Sequence, residues 1–419
     1  MSVLGGVKEV NGESAFIPTE RGTGEVTEVE PIDQARAILF VVNVDSFFLS
    51  HRLPIALAAR DHGYQVFVAA ADTGMSSAIE KHGLVFRDVP FTRRWSSPLA
   101  ELRAFRALVQ ACRDIRPDVM HLVTIKPIVL GWLASLFSGR PMRVNAITGL
   151  GFVFSAGLRP AIARSLVLPL MRMALRRGRS ATIFQNPDDL ELLTRRGIVS
   201  PKRSFLIRGS GVDCEVFQPR QSAGPNTIVL LASRMLRDKG VPAFVDMARI
   251  IHKTRPETRF VLTGDMDEGN PRSLRRNELE AWVKEGVVEW WGHQQDMQDV
   301  FAKTSIFVLP TTYREGVPLV LLEAAACGVP IVTTDAPGCR EIVRNNVNGF
   351  LVSPGDDSAL VEAVVRLLES PGMREDFGGA GRQIAVSEFS VELVVQQTMD
   401  VYRNLFGRRC PGSNKSGAE

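Results

Sequence analysis

The sequence is poor in cysteine and has no cysteine pair at metal-binding spacing. Its five cysteines are spread over 419 residues, at Cys112, Cys214, Cys327, Cys339 and Cys410. An odd number of scattered cysteines argues against a disulfide framework, and the missing CxxC spacing argues against a structural zinc site. We therefore expect the protein to work in a reducing cytoplasm.

Long apolar runs are also missing. The longest, residues 119–137, is interrupted by His121, Lys126 and Pro127, which favours strand, loop and buried helix over a membrane span. The N-terminus lacks the basic start and apolar core of a secretory signal, so we expect a chain that is not exported. Residues 1–36 and 408–419 are polar and aperiodic, and we expect both to be flexible tails.

The chain has little excess of either charge, with a net charge of +4. Its basic residues lack interleaved aromatics and a recognised binding module, so we expect no nucleic-acid partner. Residues 158–179 nevertheless hold six arginines and no acid. This segment predicts either an interfacial helix attracted to an anionic membrane surface or a core-packed helix with a solvated basic edge.

Strand-length apolar runs alternate with helical patterns along most of the chain. Strands without polar alternation, bracketed by helices, predict parallel sheets covered on both faces. The pattern restarts after residues 201–219, the expected linker, which predicts an α/β protein with two Rossmann-like parallel-sheet domains at residues 37–208 and 209–388. Ligands of such sheets bind beyond the carboxyl ends of the strands, here in the cleft between the domains.

The most specific motif lies in the second domain, where Glu315 and Glu323 are eight residues apart. Glu315 follows a strand, Pro318 suits a first helical turn, and the amides around Gly316 and Val317 then form a helix N-terminus that attracts a diphosphate. Glu323 remains near the same opening and is suited to accept hydrogen bonds from two sugar hydroxyls. The alternative is a capping acid followed by a solvated helix residue.

Two cations, Arg234 and Lys239, follow an earlier strand of the same domain. A pair of cations at this sheet edge can neutralise the two phosphates of a nucleotide diphosphate without a metal. The alternative is that each is simply solvated at the surface. Asp265 and Asp267 form a DxD, a metal-binding signature that is short and common by chance, and we expect no metal there.

These segments together resemble a known family. Glu315-Gly-Val-Pro through Glu323, Ser233-Arg234 with Lys239-Gly240, and Gly211-Val212-Asp213 with Phe217 resemble the E-x7-E retaining glycosyltransferases of family 4, over about residues 37–407. The resemblance implies the GT-B fold, a UDP-sugar donor and no cofactor. It also implies that a C-terminal helix, residues 389–407, crosses back to the first domain.

The resemblance implies a role for each matching residue. Arg234 and Lys239 hold the diphosphate, Glu315 hydrogen-bonds the hydroxyls of the donor sugar, and Glu323 binds the ribose. The residues expected to line the pyrophosphate and the sugar are Gly316, Val317 and Pro318.

The first domain departs from the family pattern. Many family members carry H-x-H after the fourth strand, whereas here His121 matches the first position and Val123 occupies the second. His121 is therefore expected either at the catalytic centre or satisfied inside the core, and Lys126 is the candidate substitute contact to the donor. Gly149 and Gly151 are expected to form a backbone turn beside the donor or the acceptor. The alternative is a plain loop.

Further segments, among them TIKP, ITGLGFVF, IFQNPDD and VTTDAPGCRE, resemble bacterial enzymes that extend polyprenyl-diphosphate-linked saccharides. The implied function is transfer of a hexose or HexNAc, GalNAc first, from a UDP-sugar to a lipid-diphosphate-linked saccharide in polysaccharide or glycan assembly. The implied location is peripheral, on the inner face of the plasma membrane. A two-domain sugar-nucleotide epimerase and a non-enzymatic sugar-binding module are the alternatives.

Overall fold

The computed structural model describes residues 36–92, 97–151, 158–219, 227–267 and 269–407. These residues form two parallel sheets covered by helices. Both tails predicted at the chain ends lie almost wholly outside the described residues.

The first sheet has seven strands in the order β3-β2-β1-β4-β5-β6-β7, and every neighbouring pair is parallel. Its strands are β1 (Ala37–Val44), β2 (Gln65–Ala71), β3 (Val85–Asp88), β4 (Val119–Val123), β5 (Met142–Ile147), β6 (Ser180–Phe184) and β7 (Ser204–Leu206). Its helices are α1 (Asp45–His51), α2 (Leu53–Asp61), α3 (Ser76–Glu80), α4 (Pro98–Ile115), α5 (Ile125–Ser135), α6 (Leu158–Arg176) and α7 (Pro187–Arg195).

The second sheet has six parallel strands in the order β10-β9-β8-β11-β12-β13. Its strands are β8 (Ile228–Ala232), β9 (Arg259–Thr263), β10 (Glu289–Trp290), β11 (Ile306–Leu309), β12 (Ile331–Thr334) and β13 (Gly349–Val352). The remaining helices are α8 (Val241–His252), α9 (Arg276–Lys284), α10 (Met297–Phe301), α11 (Leu319–Ala326), α12 (Cys339–Ile342), α13 (Asp357–Glu369), α14 (Pro371–Glu388) and α15 (Val391–Gly407).

The two parallel sheets confirm the predicted fold class. Their central strands are buried along their whole length, as in β4, β6 and β8, because helices cover both faces. Apolar runs without polar alternation are the sequence pattern that such strands produce, so most of the strands were predictable.

One local prediction was wrong. Ser204–Leu206 falls in the expected linker, but it pairs with β6 as the edge strand of the first sheet. Three partly exposed residues are too few to give an apolar run. The segment after β1 is the helix α1, which starts at Asp45. The buried Asp45 carboxylate accepts hydrogen bonds from the backbone amides of Thr73 and Met75, which fixes this helix against the end of β2.

The last helix, α15, packs on the first sheet and on α2. Tyr402 is fully buried there, and the Tyr64 and Phe406 rings stack with centroids 6.2 Å apart. The chain thus returns to its first domain after leaving the second. The exact domain boundaries stay a prediction.

The basic segment 158–179 contains α6. In the part whose side chains are described, Val167, Met171 and Leu175 lie in the first-domain core, while Arg172 and Arg176 are exposed. This arrangement is that of a core-packed helix with a basic outer edge. Among the described residues, none of the helices combines the length and the apolar character needed to cross a bilayer.

Candidate active site

The ends of two neighbouring strands bring Lys239 and Glu315 together. The two residues follow β8 and β11, which pair in parallel, so their loops leave the same edge of the second sheet. The Lys239 ammonium forms an ion pair with the Glu315 carboxylate, and the two side chains are only 14% and 15% exposed. Gly240 makes this approach possible, because a Cβ atom there would lie 2.1 Å from the Pro310 carbonyl oxygen.

Arg234, on the same connection, is paired with a different acid. Its guanidinium binds the carboxylate of Asp267, which is 4% exposed, while Arg234 itself is 54% exposed. The second acid of the DxD is therefore already used by a cation. Within the described parts of the chain, no group of three or more His, Cys, Asp or Glu side chains is arranged to hold a metal ion.

Glu323 lies in α11, just behind the Glu315 loop. Pro318 is the N-cap of this helix and not its first residue, and Leu319 begins it. Burial raises the pKa of Glu323 to about 7. The Val317 side chain belongs to the second-domain core, so only the backbone of this residue is available to a ligand.

The first domain contacts the same loop through its own strand ends. A Cβ atom at Gly149 would lie 2.7 Å from the Gly316 amide nitrogen, and one at Gly151 would lie 2.3 Å from the Tyr313 hydroxyl. Both glycines have positive φ, at 109° and 46°. The two glycines therefore allow close contact between the domains. Neither of the two sequence interpretations, a turn beside a substrate or a plain loop, anticipated this contact.

Side chains at the start of α7 hold the Glu315 loop from the first-domain side. The Asn186 amide donates to the Glu315 carbonyl oxygen over 3.1 Å, and the buried Asp189 carboxylate pairs with Arg314 at 3.0 Å. Burial raises the pKa of Asp189. A second pair, Arg340 with Asp188 at 3.2 Å, lies beside them. Sequence reasoning missed these contacts, although an Asn-Pro-Asp-Asp helix start after a strand was the available signal.

His121 lies in the core and does not line the cleft. Its Nδ1 is 2.6 Å from the Tyr402 hydroxyl, and its ring stacks on Phe40 at a centroid distance of 5.0 Å. Burial lowers its pKa well below the usual range. Of the two placements expected for His121, the structure has the one inside the core and not the one at the catalytic centre, because His121 is in the middle of β4 and points toward α15.

Lys126 is likewise held inside the first domain. Its ammonium pairs with Glu101 at 2.7 Å and donates to the Thr92 carbonyl oxygen over 2.6 Å. Its side chain is buried at the start of α5. The ammonium is thus committed to an internal ion pair, which argues against the expected contact to the donor.

His51, the last residue of α1, and Arg52, which follows it, are the first-domain residues that sequence reasoning missed. Burial is the main cause that lowers the pKa of His51 to about 3, and the charges of Arg52 and Lys239 act in the same direction. Arg52 is buried and donates to the Ser210 hydroxyl over 3.2 Å. The sequence signal was a His-Arg pair close behind the first strand.

Comparisons with known proteins agree with this architecture. Residues 37–186 match the family described as Glycosyl transferase 4-like, and residues 226–370 match Glycosyl transferases group 1. Two solved structures share the fold. They are sucrose-phosphate synthase from Thermosynechococcus elongatus (TM-score 0.75, 20% identity, 89% of this chain and 100% of that one) and Anabaena HepE in complex with UDP (TM-score 0.72, 21% identity, 88% and 100%).

Two bacterial relatives align over most of the chain. One is the N,N'-diacetylbacillosaminyl-diphospho-undecaprenol alpha-1,3-N-acetylgalactosaminyltransferase of Campylobacter jejuni, 27% identical over 85% of this chain and 97% of the relative. The other is the UDP-Gal:alpha-D-GlcNAc-diphosphoundecaprenol alpha-1,3-galactosyltransferase of Escherichia coli, 24% identical over 75% and 82%. With both sheets, both family matches and these relatives in agreement, the chain belongs to the family 4 type of glycosyltransferases with the GT-B fold.

Proposed function

We propose that this glycosyltransferase moves a sugar from a UDP-sugar to a saccharide linked to a lipid diphosphate, with retention of configuration. The observation that carries the proposal is the Lys239–Glu315 pair, which lies beside the start of α11 where the strand ends of both domains meet. The named activities of the two relatives supply the acceptor class. GalNAc is the first sugar to test.

When the sugar donor binds, its diphosphate replaces the carboxylates as the partner of the two cations in this site. In the free enzyme each cation is neutralised by a carboxylate, Lys239 by Glu315 and Arg234 by Asp267. A diphosphate carries enough charge to draw both cations, assisted by the amides of Gly316 and its neighbours at the helix start. Once Lys239 turns to the phosphates, the Glu315 carboxylate is free to accept hydrogen bonds from the donor sugar.

Glu323 is proposed to bind the ribose. Its partly buried carboxylate has a pKa of about 7 in the free protein, so part of the population is protonated at neutral pH. Two ribose hydroxyls that donate to the carboxylate stabilise the ionised form and lower this pKa on binding.

The chemical step is a front-face substitution. The acceptor oxygen bonds to C1 of the sugar as the bond from C1 to the phosphate oxygen breaks, and the acceptor proton passes to that departing oxygen. Arg234, Lys239 and the helix amides stabilise the charge that grows on the diphosphate. A hydrogen-bond donor placed in this way commonly lowers the activation barrier by roughly 3 kcal/mol. The buried His121 takes no part in this scheme.

The protein is proposed to work in the cytoplasm, peripherally on the membrane that carries its acceptor. The basic segment 158–179 was one candidate for the contact to anionic lipid. The apolar side chains of α6 that are described face the core, which argues against this helix as the membrane contact.

The decisive assay supplies labelled UDP-GalNAc, UDP-GlcNAc, UDP-Gal or UDP-glucuronic acid together with an undecaprenyl-diphosphate saccharide. The proposal predicts UDP release that depends on the acceptor, with label transferred to the lipid. An epimerase changes the sugar nucleotide without an acceptor, and a sugar-binding module releases no nucleotide. Either of these outcomes, repeated over the four donors, contradicts the proposal.

A further inference from the structure

The first domain exposes large apolar side chains at the start of α4 and just after α5. Leu99 is 70% exposed and Phe137 is 56% exposed, and Leu102 and Leu136 are exposed as well. The Phe105 and Phe137 rings meet edge to face with centroids 6.1 Å apart, which joins the two helices at this surface. We call Leu99, Leu102, Leu136 and Phe137 the α4–α5 patch.

The outer face of α4 is not needed by the core. Its buried side chains are Ala104, Leu108, Ala111 and Cys112, which recur at the spacing of one helical face. Leu99 and Leu102 lie on the opposite face. Within the described part of the chain both side chains stay exposed, and a contiguous exposed apolar patch of this kind marks an interaction surface.

Arginines surround these apolar side chains. Arg103, Arg106 and Arg113 on α4 and Arg140 after α5 are all exposed, and Arg113 Nε donates to the Phe137 carbonyl oxygen over 3.3 Å. The acid nearest the start of α4, Glu101, turns inward to Lys126. Asp114, near the end of α4, is exposed and accepts a hydrogen bond from Gln110. The four arginines outnumber this acid, so the outer face is apolar and net positively charged.

We propose that the α4–α5 patch and its arginines dock the protein on an anionic phospholipid bilayer. The leucines and Phe137 enter the interface between headgroups and acyl chains, while the arginines meet the lipid phosphates. The proposal rests on the proposed function in one respect, since the lipid-linked acceptor lies in the same membrane. It places the contact on α4 and α5 and not on α6, whose described apolar side chains are in the core.

The test is co-sedimentation with phosphatidylcholine vesicles that contain a minority of phosphatidylglycerol. Two double variants, called the patch variants, disrupt this surface. Leu99→Ser with Leu102→Ser alters the patch itself, and Arg106→Glu with Arg113→Glu alters the arginines around it. Matched controls are Ile250→Ser, an exposed apolar residue of α8, and Arg172→Glu with Arg176→Glu on α6. Circular dichroism checks that every variant is folded.

We expect the wild type to bind these vesicles at low salt and to leave them at high salt. Each patch variant should partition at least about tenfold more weakly, and both controls should bind like the wild type. The proposal is overturned if the patch variants bind normally, if the α6 variant alone loses binding, or if the wild type does not sediment. A wild-type dimer that the patch variants convert to monomer also overturns it, because the patch is then an interface between copies.

A second readout separates this proposal from the proposed function. Transfer to a short-chain, water-soluble acceptor should be unchanged in the patch variants, while transfer to acceptor embedded in vesicles falls with binding. If the wild type binds vesicles but transfers no sugar to either acceptor, the proposed function fails and the docking surface stands. If both transfers fall in the patch variants, the patch is part of the catalytic machinery and the docking proposal fails.

Discussion

Replacing Glu315 by glutamine separates donor binding from catalysis. In the free enzyme the Glu315 carboxylate competes with the diphosphate for Lys239, so its removal leaves the ammonium available. A hydrogen-bonded pair of charges as little exposed as this one contributes about 1–2 kcal/mol net. UDP should therefore bind about 5–30-fold more tightly to Glu315→Gln than to the wild type.

Turnover should change in the opposite direction. The amide of Glu315→Gln accepts hydrogen bonds from the donor sugar more weakly than a carboxylate, and the loss of a hydrogen bond to a charged group costs about 1.5–3 kcal/mol. We expect kcat to fall about 10–150-fold.

The assay is isothermal titration calorimetry with UDP, combined with acceptor-dependent UDP release. Glu280→Gln, which changes an exposed acid on α9, is the matched control and should leave both quantities unchanged. Unchanged or weaker UDP binding by Glu315→Gln refutes the exchange of partners, whatever happens to turnover.

Three further predictions concern Glu323, His121 and Gly149. Glu323→Gln should be the more stable protein at pH 8. The pKa of Glu323 in the folded protein, about 7, exceeds the usual 4.5, so the wild type loses stability as the pH rises from 4.5 through 7. At pH 8 we therefore expect the free energy of unfolding in urea to be about 1–3 kcal/mol higher for Glu323→Gln than for the wild type. Equal stability of the two proteins at pH 8 contradicts the burial of this carboxylate. His121→Phe should lose about 1–2 kcal/mol of stability but keep at least about half of the turnover per folded molecule, because His121 is in the core; a loss above about a hundredfold restores it to the catalytic centre. Gly149→Ala should lower turnover more than about tenfold, because a Cβ atom there would lie 2.7 Å from the Gly316 amide nitrogen. Gly74→Ala is the control, since Gly74 has a similar φ but open space around it, and it should keep its turnover. Equal turnover in both variants contradicts a role for the contact between Gly149 and Gly316 in catalysis.

The sheets and the second-domain site were predictable because their signals are local. Strands such as β8 are continuous apolar runs, and Glu315 and Glu323 lie on one loop and the helix that follows it. Lys239 belongs to the neighbouring strand end, which a parallel sheet brings to the same edge. The sequence motifs therefore predicted that Lys239, Glu315 and Glu323 lie close together.

The partners of these groups were not predictable. Asp189 and Arg314 are 125 residues apart, and Arg52 reaches Ser210 across 158 residues. Nothing in either local segment signals the other, because these contacts depend on how the two domains meet. The choice between the two placements of His121 was not predictable for a related reason. The sequence resemblance gave its position along β4, whereas α15, from the far end of the chain, covers the side to which it points.

The pairing of Lys239 with Glu315, poised for exchange with a diphosphate, is the central claim. Its most direct test is acceptor-dependent UDP release by Lys239→Ala, with Lys303→Ala as the control because Lys303 is an exposed lysine of the same domain. The account predicts that Lys239→Ala loses roughly a hundredfold or more in turnover, as expected for removal of a charge-stabilising donor, while Lys303→Ala keeps its activity. Near-normal turnover by Lys239→Ala contradicts the account.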